Sequence, residues 1–183
     1  MDLRATILGL LSWKPSSGYD LKRIISDSEV FYWSGNNNQI YKSLLELENE
    51  DLVIHQVQVQ ENLPAKKIYS ITEKGSSELY RNLLADPEVP ELRKGFLIQL
   101  AWAEMLSDEE VQTLLEKYED EIIIRLYMLQ AQAAGADSGP ARSKREIYLW
   151  KRIAENIIGA SQSELEWVRQ TQAELREGKF DTE

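Results

Sequence analysis

Residues 34–52, Ser34-Gly-Asn-Asn-Asn-Gln-Ile-Tyr-Lys-Ser-Leu-Leu-Glu-Leu-Glu-Asn-Glu-Asp-Leu52, join a run of amides to an apolar stripe. Ile40, Leu44 and Leu47 recur at helical spacing, so the stretch predicts a helix with Ser34 as its N-cap. At about 100° per residue that stripe faces a core, and Asn38, Gln39, Lys42 and Glu46 lie opposite it. Asparagine is a poor helix-interior residue because its side chain competes for nearby backbone groups. Three of them at a helix start therefore need a capping reason or a functional one. Amides also donate and accept at once, which suits them to the adenine edge when they sit in the first turn of a recognition helix. Asn36 and Asn37 lie nearer the flank, where capping accounts for them equally well.

The flanking sequence supplies the context. Upstream, Leu3, Ile7, Leu10 and Leu11 repeat at helical spacing until Lys14-Pro15, and Ser16-Ser17-Gly18 offers an N-cap for a second helix carrying Tyr19, Leu21, Ile24 and Ile25. Phe31, Tyr32 and Trp33 form an aromatic connector. Downstream, the period changes to two: Val53, His55, Val57 and Val59 point one way, and Ile54, Gln56, Gln58 and Gln60 the other. Glu61–Ala65 reads as a turn and Lys66–Ile71 as a second strand, with Lys66 and Lys67 near the hairpin tip. Thr72-Glu-Lys-Gly-Ser then opens a fourth helix with Leu79, Tyr80, Leu83 and Leu84. Three short helices followed by a hairpin is the order of a winged helix, whose third helix enters the major groove. In that arrangement Asn38 and Gln39 read bases, Asn37 and Tyr41 flank them, and Lys42, Lys14, Lys66 and Lys67 hold phosphates.

Asp86-Pro87-Glu88-Val89-Pro90 lacks periodicity and carries two prolines, which marks a boundary between domains 1–85 and 86–183. Beyond it the chain is helical: one long pattern from Phe96 to Leu129 with a break near Ser107-Asp108, a loop at 135–140, and a last helix from about Ala141 to Arg176. Trp150, Ile153, Ile157, Ile158, Trp167 and Val168 form more apolar face than a solitary terminal helix needs, which reads as a dimerisation face, and Trp102, Trp150 and Trp167 read as core or interface before effector pocket. The predicted fold is mainly α with a small β-hairpin wing: a winged helix-turn-helix domain plus a C-terminal helical dimerisation domain.

Composition narrows the function. The absence of cysteine excludes disulfides, thiol nucleophiles and cysteine metal sites, and the single histidine, His55, excludes multi-histidine metal sites. No cofactor is expected. No nucleophile, base and orienting partner share a recognisable motif, and Glu109-Glu110 reads as a helix's acidic first turn, so an enzyme is not expected. The amino terminus lacks a signal-peptide pattern and no apolar run is long enough to span a bilayer, which predicts a cytoplasmic protein without a membrane partner. The net charge of −10 argues against a nucleic-acid partner, but residues 1–85 hold 9 basic and 11 acidic side chains, whereas residues 86–183 hold 12 and 20. DNA binding would then have to come from local placement of a few cations, not from overall charge. The charge also keeps open a winged helix used for protein interaction without sequence-specific DNA binding.

Three segments, ILGLLSWKPSSGYDLKRII, NNNQIYKSLLELENEDLV and PAKKIYSITEKGSSEL, resemble the PadR family of transcriptional regulators. That family has a Ser-Gly-Tyr-(Asp/Glu)-Leu start to its second helix, matched by Ser17 to Leu21. Its third-helix Tyr-x-x-Leu-x-x-Leu-Glu core is matched by Tyr41 to Glu48, and its Lys-x-Tyr-x-Ile-Thr-x-x-Gly wing strand by Lys67 to Gly75. The second half is similar to the helical domain of the larger members. The resemblance implies a homodimeric repressor on a palindromic double-stranded operator, with small aromatic phenolic compounds as one effector class. Two positions depart from it: Lys42 stands where a proline often follows the tyrosine, and Asp51 where a glycine is frequent before Leu52.

Overall fold

The structure is a computed structural model describing residues 2–28, 30–31, 38–60, 63–87, 94–135 and 140–179. The expected Ser34 cap, Asn36 and Asn37, Tyr32 and Trp33, the Glu61-Asn62 turn and the prolyl boundary at Pro90 lie outside these residues, as does most of the 135–140 loop. The chain divides into two compact units, Met1–Pro90 and Glu91–Glu183.

In the first unit, helix α1 (Leu3–Trp13) is capped by the Asp2 carboxylate, which accepts the Ala5 N–H at 2.9 Å. Its burial at Leu3, Ala5, Ile7, Leu8, Leu10 and Leu11 runs round much of the helix, so α1 is the post on which the unit is built. Helix α2 (Gly18–Ser26) starts at a capping box between Ser17 and Asp20. Helix α3 (Asn38–Asn49) buries Ile40, Ser43, Leu44 and Leu47. It ends in a Schellman motif: the Leu52 N–H donates to the Leu47 carbonyl at 2.9 Å and the Asp51 N–H to the Glu48 carbonyl at 3.0 Å. Asp51 occupies the left-handed position of that motif at φ 57°, so the aspartate adopts the backbone for which a glycine is commonly used.

The sheet has three antiparallel strands in the order β1-β3-β2, formed by Ser16–Ser17 (β1), Val53–Gln60 (β2) and Leu63–Ile71 (β3). The hairpin follows the expected alternation. Its face, however, outruns the core: Val53 is buried, while Val57 and Val59 are 57% and 84% exposed. Two details differ from the sequence expectation. Strand β1, pairing Ser16 with Tyr69 and Ser17 with Ile68, is an addition. Strand β3 starts at Leu63, so Lys66 and Lys67 sit in the ladder opposite Gln58 and Val57, not near the tip. Helix α4 (Glu73–Leu83) begins at Thr72, whose hydroxyl accepts the Gly75 N–H at 3.0 Å. A β-carbon at Gly75 would meet the Leu52 carbonyl oxygen at 2.1 Å, so this glycine lets α4 approach the start of the wing. Ile7, Leu8, Leu21, Leu44, Leu47 and Val53 form the centre of the core, each burial contributing about 1.5–3 kcal/mol.

The second unit contains α5 (Gly95–Ala101), a 3-10 turn (Ala103–Met105), α6 (Asp108–Ala134) and α7 (Lys144–Arg176). The break at Ser107 is a second capping box, with Glu110 reaching back to the Ser107 N–H at 2.8 Å. Phe96, Leu115, Ile122, Leu126 and Val168 pack together in its core. Across α6 and α7, Arg169 donates to Glu119 at 2.6 Å, the Gln172 amide to Glu119 at 2.9 Å, and Arg176 to Glu116 at 3.2 Å.

Candidate nucleic-acid interface

Helix α3 turns its apolar stripe into the core and leaves Asn38, Gln39, Tyr41, Lys42 and Leu45 on the outside. Lys42 has a side chain 77% exposed, and its ammonium lies 3.8 Å from Glu46 one turn on. Tyr41 is half exposed because its ring is seated on α2: a β-carbon at Gly18 would lie 2.6 Å from Tyr41 Cε1 and 3.3 Å from Leu44 Cδ1. The Ser-Gly-Tyr start of α2 thus has a packing reason. Ser17 caps the helix, and Gly18 leaves the gap into which α3 fits.

Around this face two cations, Arg4 and Lys66, are held by carboxylates. Arg4 of α1 grips Glu50 through both guanidinium nitrogens, one at 2.8 Å, and lies 4.0 Å from Glu46. The hydrogen bond from Arg4 holds the Glu50 carboxyl below its ordinary value. Lys66 donates to Asp20 Oδ2 at 2.9 Å, and the same oxygen accepts the Ser17 hydroxyl at 2.7 Å. The Ser17 hydroxyl first, and then Lys66, pull the Asp20 pKa down from 3.8 to about 2. Lys14 is exposed at the C-cap of α1, and Lys67 is exposed on β3. Asn37 lies outside the described residues.

His55 is half-buried, its Nδ1 paired with Glu48 of α3 and its ring 5.6 Å from that of Tyr69, so it joins α3 to the hairpin. Sequence reasoning missed Arg4 and Asp20 as neighbours of this surface. Ser16-Ser17-Gly18 offers a cap in the sequence, but a lysine partner for Asp20 46 positions away leaves no local signal.

In the second unit, Trp102 is 72% exposed just after α5, while Trp150, Ile153 and Ile157 are half-buried on α7. Trp167 meets Phe96 edge-on with centroids 6.4 Å apart, and Phe96 stacks on Tyr118 at 3.6 Å. Trp167 is therefore partly a core residue. The Tyr118 hydroxyl donates to Glu164 at 2.9 Å, and Lys94 pairs with the same carboxylate. Burial, then the bond to Glu164, pushes the Tyr118 pKa up to about 12. Alpha-6 also leaves Ile123, Ile124, Tyr127 and Met128 exposed, an apolar surface the sequence set did not include. Among the described residues there is no acid, histidine or cysteine group able to hold a metal ion, and no helix long and apolar enough to cross a membrane.

The described residues thus form a winged helix whose third helix carries exposed amides in its first turn, the position from which recognition helices reach base edges. Residues 7–81 match the model of the transcriptional regulator PadR-like family. It is 30% identical over 115 residues to the negative transcriptional regulator PadR of Bacillus subtilis (strain 168), an alignment spanning 62% of this chain and 63% of that one. The crystal structure of Bacillus subtilis PadR in complex with operator DNA matches with a TM-score of 0.80 at 24% identity, over 94% of this chain and 98% of that one. The complex of the same protein with p-coumaric acid matches at 0.76 and 22%, over 95% and 98%. These likenesses support the fold: a winged helix followed by a helical domain.

Proposed function

We propose that this chain is a cytoplasmic, homodimeric, sequence-specific DNA-binding repressor, without enzymatic activity, that releases its operator when a small aromatic effector binds. The observation that carries the reading is α3, which buries Ile40, Leu44 and Leu47 and leaves Asn38, Gln39 and Lys42 outside at its N-terminal turns. In this reading Asn38 and Gln39 contact base edges, Lys42 a phosphate, and Tyr41 packs beside them. Lys14, Lys67 and the Lys66 strand approach the flanking backbone, and Asn37 shapes the helix entrance. Residues 1–85 form the DNA-binding domain and residues 86–183 the dimerisation and effector domain, with Trp102, Trp150, Ile153, Ile157 and Trp167 on its aromatic and aliphatic surfaces. Two-fold symmetry then calls for a palindromic double-stranded operator. Bacillus subtilis PadR, solved with operator DNA and with p-coumaric acid, supports both partners by likeness.

The test uses a duplex selected from a random pool by the full-length protein. Asn38→Ala and Gln39→Ala should each lose roughly 1–3 kcal/mol on that duplex and relax its sequence preference. Lys42→Ala should weaken all duplexes alike and reduce the salt slope by about 1. Amide variants that keep full discrimination would move base reading to another element. A wild-type protein with no salt-dependent duplex binding would favour the protein-interaction module instead.

A further inference from the structure

The acid Asp20, on the first helix of the helix-turn-helix, is placed where repulsion from DNA phosphates would make it a liability. Its surroundings give it a different use. One oxygen, Oδ2, collects the Ser17 hydroxyl at 2.7 Å, the Ser17 N–H at 3.4 Å and the Lys66 ammonium at 2.9 Å. The first two belong to the capping box that starts α2. The third comes from β3, 46 positions away, and its location in the sheet matters. Strand β1 supports β3 only at Tyr69 and Ile68, opposite Ser16 and Ser17. Lys66 lies further out, where β3 is paired with β2 alone through Gln58, just before the irregularity between Gln58 and Gln60. Val57 and Val59 are mostly exposed there, so among the described residues no apolar side chain of β2 beyond His55 is buried against a core. A two-stranded ribbon without a packed face is pliable. Among the described residues, Lys66–Asp20 is the ion pair that ties this outer ribbon to a helix.

We propose that Asp20 is a positioning residue for DNA binding: through Lys66 it fixes the angle of the wing relative to α2, and so directs the exposed Lys67 at the operator backbone. This rests on the DNA-binding reading above. The two partners are each about one-third exposed, so the contact is held by geometry more than by burial.

The idea makes a prediction opposite in sign to simple electrostatics. Asp20→Asn removes a negative charge beside phosphates, which alone would tighten binding and steepen its salt dependence by freeing Lys66. If Asp20 positions the wing, the same change weakens binding by about three- to fivefold, the scale of a part-exposed ion pair. Lys66→Met, which leaves the capping box intact, should match it, Lys66→Arg should restore wild-type affinity, and the double variant Asp20→Asn/Lys66→Met should be no worse than either single change.

Wing position is read directly and without DNA. Because the chain has no cysteine, spin labels on Gln58→Cys and Ser77→Cys report the distance from wing to α4 against no background. Asp20→Asn and Lys66→Met should broaden and shift that distance distribution, while Lys66→Arg leaves it narrow. Unchanged distances, or tighter duplex binding by Asp20→Asn, overturn the inference. A wild-type protein that binds no duplex removes the DNA-binding reading, and the label distances still decide whether Asp20 sets the wing.

Discussion

Replacing Asp51 by glycine should stabilise the first unit. Asp51 sits at φ 57° as the left-handed residue of the motif that closes α3, with Leu52 following it into the core beside Leu47. An ordinary residue in that region costs about 1–2 kcal/mol, and aspartate somewhat less because it visits the region more readily. Glycine removes this strain but returns about 0.5–1 kcal/mol through the greater freedom of its unfolded chain. The remaining contribution is electrostatic: the carboxylate lies at the negative end of the helix dipole, close after Glu48 and Glu50, and removing it yields about 0.3–1 kcal/mol. The net expectation is a gain of roughly 0.5–1 kcal/mol, against a loss of about 1–2 kcal/mol for Asp51→Val, whose branched side chain is strained at positive φ. Urea unfolding followed by circular dichroism should separate the variants, since such a gain moves the midpoint by roughly 0.3–0.5 M at an unchanged slope. The amides of Asp51 and Leu52 should also exchange more slowly in the glycine variant, as the loop they close opens less often. A glycine variant that is less stable than wild type, with a valine variant equal to it, would refute the backbone argument and point to a stabilising contact of the Asp51 side chain.

Gly75→Ala should cost more than 2 kcal/mol, roughly the scale of an incompatible close contact, because the new methyl would have to displace the Leu52 backbone carbonyl; a urea midpoint within error of wild type would show that α4 can retreat freely. The Asp20 carboxyl, followed by carbon NMR, should titrate near 2. Because its folded pKa is depressed below 3.8, the stability it contributes is complete above that value and is lost as pH falls towards 2, and a midpoint at or above 3.8 would remove the network. If the exposed α6 surface is the two-fold contact of the proposed dimer, Ile124→Asp with Tyr127→Asp should give monomers by sedimentation, and an unchanged dimer would place the contact elsewhere. Tyr118→Phe removes a hydrogen bond to Glu164 and should destabilise the second unit by about 1–2 kcal/mol in urea, whereas no change would mean that Lys94 alone satisfies that carboxylate.

The elements were legible where their signals are local. Ser17 with Asp20, Thr72 with Gly75 and Ser107 with Glu110 announce helix starts in the sequence itself, and the shift of period at Val53 announces the wing. Strand β1 was not legible, since two residues carry no period and exist as a strand only because β3 runs beside them. Alternation correctly sorted the faces of β2, but alternation cannot say where the supporting core ends, and at Val57 and Val59 it has already ended. The outward side of α3 followed from helical geometry. What surrounds it did not, because Arg4–Glu50 and Asp20–Lys66 each join positions 46 residues apart. The glycine-to-aspartate departure at position 51 was visible, yet only the dihedral angle shows that the chain kept the turn and accepted the strain.

The internal pairing of the cations has a kinetic side. Arg4 and Lys66 are each held by a carboxylate of the same chain, and Lys42 shares Glu46. In the proposed DNA-binding reading, such side chains must first leave a carboxylate before they meet a phosphate, and the ion pair given up offsets part of what each phosphate contact contributes. A chromosome presents millions of wrong sites, and if the chain is the proposed regulator, weak hold on them shortens the time it spends there. In the proposed reading, discrimination between sites then rests on hydrogen bonds from Asn38 and Gln39 to base edges, while Lys42, Lys14 and Lys67 supply the salt-dependent contacts to phosphates.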